Sequence, residues 1–183
     1  MSEREICEYA QAKAFHAQTL ERWLGWDEAD RNGLLRVAVG LKAGENQLRD
    51  LMDWLEEIAL RDGLAIGTIL SGKAILEIET DPRLGRADRL KRIKEQIRRL
   101  RFPRLAQTED AIHEQIRAMK LTPEIRLSVP PGLEGGRLHI EMSASSHEEF
   151  KRLTAALAAA AEQDCAGAVF DLLAGTQPIR SAG

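Results

Sequence analysis

The chain has 183 residues, 44% hydrophobic and 30% charged, with a formal net charge of −3 and only 4% aromatic residues. That is the composition of an ordinary soluble globular protein, long enough for one large domain or two small ones around a mainly aliphatic core. No apolar run approaches the roughly 20 residues a membrane-spanning helix needs, and Cys7 and Cys165 lack CxxC spacing and read as reduced thiols.

Residues 2–24 contain no Gly or Pro and are rich in Ala, Glu, Gln and Lys, which predicts one long helix. The opening residues MSEREICEY are charged and lack a signal-peptide core, so the expected compartment is the cytoplasm. Gly25 and Asn32-Gly33 are expected breaks. The run LLRVAVGL at 34–41 is ambiguous between strand and helix. ENQLRDLMDWLEEIALRDG predicts a helix with a broad stripe of Leu48, Leu51, Met52, Leu55, Ile58 and Ala59, stopped at Gly63. A short helix over 64–73 would follow, and the pair invites a helix-turn-helix reading. AILEIE at 74–79 fits a strand or a helical extension, and Asp81-Pro82 a turn or a fresh helix start.

Next comes an uneven feature. The window Arg83–Arg104 holds ten Lys/Arg against two acids, a net of +8, while the rest of the chain carries −11. Leu90, Ile93, Ile97 and Leu100 give this helix one apolar seam at 3-4-3 spacing, and Pro103 should end it. Thr108 is the expected N-cap of another helix, ended by Thr122-Pro123. EIRLSV and RLHIEM then alternate polar and apolar around PPGLEGG, predicting an antiparallel hairpin. Ser145 with Glu148, or Ser146 with Glu149, would cap a helix carrying Phe150, Leu153 and Leu157. The helices at 108–120 and 147–163 are the expected cover for the hairpin. AGAVFDLLAG reads as a short terminal helix, and residues beyond Gly175 as a frayed tail.

The stretch TEDAIHEQIRAM … EIRLSV … EGGRLHIEM … SSHEEFKRL resembles the C-terminal domain of ParB-type partition proteins over about residues 108–157. The resemblance implies a dimer in which hairpins join into a shared sheet, with Ile125, Leu127, Leu138 and Ile140 at the interface, and non-specific DNA binding as in some members. The arginine-rich motif of the family's nucleotide-binding domain is absent, so CTP binding is not implied. The hairpin is also not lysine-rich: Arg126, Arg137 and His139 are its basic candidates.

Catalytic and metal signatures do not stand out. His16, His113, His139 and His147 have no HxxxH or HExxH spacing, there is no GxSxG elbow, and GLEGG lacks the Lys-Ser/Thr ending of a phosphate-cradling loop. No metal, cofactor or enzymatic activity is expected. Trp23, Trp26 and Trp54 read as core or interface residues. On the basic helix, Lys91, Arg92, Arg98 and Arg99 fall opposite the seam, with Lys94 and Arg101 flanking and Arg104 beyond. Such a ridge suits contact with duplex phosphates, although Asp88 and Glu95 share the face in i,i+4 relation to basic residues.

The expected fold is mainly α with a small α+β unit. Residues 1–80 form a helical region, 81–106 a basic connecting helix, 107–175 an α-β-β-α domain and 176–183 a flexible tail. The expected function is that of a non-enzymatic DNA-associated protein, a partition-like homodimer that binds duplex backbone through the basic helix. The alternative is a scaffold or adaptor whose basic helix docks on an acidic protein surface.

Overall fold

A computed structural model describes residues 3–176. The protein is mainly α with a small α+β unit, and the chain forms two compact units, Met1–Phe102 and Pro103–Gly183. Unit 1 contains α1 (Glu3–Ala12), α2 (Ala17–Leu24), α3 (Glu28–Leu41), α4 (Glu45–Asp62), α5 (Ile66–Leu70), α6 (Lys73–Thr80) and α7 (Arg86–Arg101). Unit 2 contains α8 (Pro103–Ala118), β1 (Ile125–Ser128), β2 (His139–Met142), α9 (His147–Ala161) and α10 (Asp164–Leu173).

The central element of unit 1 is α4, whose Leu48, Leu51, Met52, Leu55 and Ile58 are all buried, as the apolar stripe requires. Gly63, at φ +65°, closes it by donating its N–H to Ala59 O. Against α4 pack α7, through Ile93 and Ile97, and α5; α3, whose Leu34, Leu35, Val37 and Ala38 are buried in the same core, packs on α5 and α7. Leu100, expected in the α7 seam, is 37% exposed. The apolar face of α7 therefore ends a turn earlier than its spacing indicates.

Two local expectations are corrected, and two open alternatives resolve to helix. The segment 2–24 is two helices, not one, because Ala14 adopts φ +53° and turns the chain at 13–16. The turn brings Tyr9 edge-on to Phe15 at 6.0 Å and to Trp23 at 6.4 Å. This aromatic packing outweighs the helical propensity of the intervening residues. The Tyr9 hydroxyl lies 2.8 Å from Ala38 O and 2.7 Å from Ala43 O, and its single proton serves one of them at a time. Second, Asn32-Gly33 lies inside α3, and 34–41 is helical. Gly33 faces α5, where a Cβ would make ordinary contact with Gly67 Cα at 3.4 Å, so it neither breaks α3 nor is demanded by the crossing. Residues 74–79, open between a strand and a helical extension, are helical, as part of α6.

At the α3–α5 crossing the Gly67 N–H donates to Asp30 Oδ1 at 2.7 Å, and a Cβ on Gly67 would meet Ala29 O at 3.1 Å. Because that neighbour is backbone, Gly67→Ala is expected to push α5 off α3 and cost roughly 1–3 kcal/mol. A lowered urea midpoint with an unchanged slope is the expected readout; an unchanged midpoint would refute this account of the crossing.

In unit 2 the hairpin is antiparallel with Ile125 opposite Met142 and Leu127 opposite Ile140. Apolar side chains share one face, while Arg126, Ser128, His139 and Glu141 are exposed on the other. The strands are shorter than the alternation predicts, because the connection takes its own turns: Gly132, Leu133, Gly135 and Gly136 all have positive φ. Helix α8 starts at Pro103, not at Thr108. Phe102 leaves the helical region at φ −121°, ψ 67°, as residues before proline do, and Pro103 opens the next helix. Thr108 is interior and its Oγ1 donates to Arg104 O at 3.0 Å.

Ser146 caps α9 by accepting from Glu149 N–H, and the Glu149 carboxylate accepts from Ser145 N–H at 2.7 Å. The main packing partner of α8 is α10, so the terminal helix belongs to the core with Ile112, Met119, Ala160, Val169 and Leu172. Leu127, Leu133 and Leu138 pack against that cluster. Thr176, at the start of the expected tail, donates N–H and Oγ1 to Asp171 O; residues 177–183 lie outside the described residues.

Candidate anion-binding groove

The basic residues of α7 divide into two sets. On the side facing α4, Lys94 Nζ meets Asp50 at 2.8 Å and Arg101 Nε donates to Glu57 at 2.7 Å. Both cations also lie on the Trp54 ring, at 5.3 Å and 6.0 Å from its centroid. Arg98 forms a two-pronged pair with Glu95, with both N···O distances 2.8 Å. That guanidinium, with the charge of Arg99 adding to it, holds the Glu95 carboxyl below its ordinary range. At the helix start Arg83 pairs with Asp81, whose pKa falls to about 2 chiefly through the Arg83 side-chain bond. Arg89 Nη2 donates to Asp81 O at 2.9 Å.

The second set faces outward. Arg86, Lys91 and Arg92 are exposed and form no salt bridge among the described residues, although the charge of Arg92 adds to that of Arg83 in holding the Asp81 carboxyl down. Arg104 belongs to the first turn of α8, in unit 2, where it is exposed.

Folding adds cations that no local signal in the sequence marks. Lys13, just after α1, and Lys42, which ends α3 in a left-handed conformation at φ +51°, line the same groove as Arg86, Lys91, Lys94 and Arg98. The groove holds about 1000 Å³. Leu41, Leu90, Ala87 and the Trp54 side chain supply its apolar lining. Lys13 Nζ lies 3.4 Å from Lys42 O, and neither lysine forms an ion pair among the described residues. Four lining cations thus carry charge that the surrounding carboxylates do not neutralise: Lys13, Lys42, Arg86 and Lys91. Glu95, the carboxylate among the described lining residues, is held ionised by Arg98. That suits it to fixing a guanidinium, not to moving a proton.

The sites read from the sequence are therefore partly redistributed. Lys91 and Arg92 keep the outward position expected of them, whereas Lys94, Arg98 and Arg101 are tied to carboxylates of the protein. Arg86 belongs to the basic run and joins the groove although it precedes the apolar seam that begins at Leu90.

The other expected surface is in unit 2. Ile125 is buried, Leu127 and Leu138 are half-buried, and Ile140 is 53% exposed. The last three line an apolar groove of about 400 Å³ with Leu157 and the 54%-exposed Phe170. The helices cover the hairpin face only in part. Among the described residues no three His, Cys, Asp or Glu side chains gather in a metal-binding group, and no helix is long and apolar enough to cross a membrane.

No family model, no curated protein and no solved structure matches this chain.

Proposed function

We propose that this is a non-enzymatic, cytoplasmic DNA-associated protein that holds the duplex backbone on the cationic face of unit 1. The observation that carries this reading is the convergence of Lys13, Lys42, Arg86 and Lys91, without carboxylate partners among the described residues, around one groove, with the exposed Arg92 next to Lys91 on α7 but outside the groove lining. Phosphate contacts of this kind give affinity without sequence preference, through counterion release. The contacts first assigned to Lys94, Arg98 and Arg101 pass to Lys13, Lys42 and Arg86, because the former neutralise Asp50, Glu95 and Glu57. Anisotropy of a labelled duplex of about 20 base pairs, titrated at low salt, tests this. Saturable binding that ignores base sequence supports it, and absence of binding removes it.

In the same reading the chain is a homodimer through unit 2, as the resemblance of residues 108–157 to partition-type proteins implies. The exposed Ile140, opposite Leu127 and beside Phe170, supports that face as the contact. Light scattering of the full chain should report twice the mass of one chain. Ile140→Glu places a charge in the contact and is expected to return the mass to that of one chain, with helicity unchanged. A wild-type monomer at high micromolar concentration, or a dimer untouched by the substitution, would contradict the assignment.

A further inference from the structure

We infer that the groove of unit 1 is also a docking site for an acidic amphipathic helix of a protein partner. This goes beyond the duplex reading, because it uses the apolar lining, which phosphates cannot. Lys13, Lys42, Arg86 and Lys91 supply charge, but the exposed Ala87 and the half-buried Leu90 and Trp54 between them offer hydrocarbon where a nucleic acid would present phosphate and sugar. The Trp54 ring, carrying Lys94 and Arg101, is already engaged and is a poor platform for an unstacked base.

The groove is also elongated. Its α7 wall runs from Arg86 to Arg98, about 18 Å at 1.5 Å per residue, or some three turns of a facing helix. Apolar residues at i, i+3, i+4 and i+7 would lie on Leu90 and Ala87, and flanking Glu or Asp would meet the unpaired cations. Charge complementarity selects an acidic helix over a neutral one. Both ligands claim the same four cations, so partner and duplex exclude each other.

The test uses the full chain and a synthetic 16-residue amphipathic helix with Leu on one face and Glu on its flanks, about three to four turns long. Its controls are the same peptide with Gln for Glu, and a labelled duplex. Saturable binding of the Glu peptide, at least about tenfold weaker for the Gln peptide, is expected, together with displacement of bound duplex. Ala87→Gln, at an exposed helical position in the apolar lining, leaves the charge unchanged. It should weaken the peptide at least about tenfold and the duplex less than about twofold. Lys13→Gln, also exposed, should weaken both ligands. The inference is overturned if the Glu peptide does not saturate, if the Gln peptide binds equally well, or if A87Q binds it like the wild type. A chain that binds the peptide but no duplex loses the proposed function and keeps this site; the converse result does the reverse.

Discussion

Replacing Lys13, Lys42, Arg86 and Lys91 together by Glu is expected to reduce duplex affinity at low salt by at least about a thousandfold. All four are exposed, so the helical signal should be unchanged. The size of the effect follows from counting. Each phosphate contact contributes about −0.9 to the slope of log K against log salt, and the variant keeps only Arg92 of the five outward cations while gaining repulsive charges. The comparison variant reverses Lys94, Arg98 and Arg101 instead. These side chains already meet Asp50, Glu95 and Glu57. Reversing them should first disturb the α4–α7 packing around Trp54, and so lower stability before it touches binding specifically. If the second triple abolished binding with stability intact, while the first quadruple left it unchanged, the assignment of cations would be inverted.

Trp23→Ala is expected to destabilise unit 1 by about 3–5 kcal/mol. Trp23 is fully buried, meets the Tyr9 ring edge-on at 6.4 Å, and donates Nε1–H to Arg31 O at 3.3 Å. Its removal opens a cavity at the turn where α1, α2 and α3 converge and leaves the Arg31 carbonyl without that donor. Against a typical total of about 5–15 kcal/mol, such a loss leaves the unit marginal at physiological temperature. Urea denaturation followed by circular dichroism checks it, since the tryptophan signal itself changes in the variant. Trp54→Ala, at a half-buried ring held by cations, should cost distinctly less. Equal losses at the two positions would mean that the buried aromatic cluster does not hold the N-terminal helices together.

Where the sequence carried a strong period, its reading of the fold was sound. The stripe of α4 and the alternation of the hairpin are signals of this kind, since one buried face imposes them on consecutive residues. The readings that failed involve residues whose conformation is chosen by distant partners. Ala14 turns left-handed without a Gly or Pro to announce it, because Tyr9, Phe15 and Trp23 gain contact by the turn. Gly33 looks like a breaker and is instead an interior residue of a helix that packs on α5. Pro103 was legible as an end of α7 but serves equally as the first residue of α8.

The site shows the same division. Excess positive charge on α7 was visible in the run itself. Which cations stay unpaired was not, because Asp50 and Glu57, which neutralise Lys94 and Arg101, lie forty-four residues upstream. Lys13 and Lys42 sit in unremarkable local sequence and join the groove only through the packing of α1 and α3 against the rest of unit 1.

The central claim is that Lys13, Lys42, Arg86 and Lys91 face solvent without carboxylate partners among the described residues and, with the exposed Arg92, hold a polyanion. The salt dependence of duplex binding tests it most directly. Five contacts predict a slope of log K against log salt near −4.5, equivalent to a loss of roughly 500-fold between 50 and 200 mM salt. A slope near zero, or no binding at the lowest salt, would show that the protein's own acidic groups already satisfy this face.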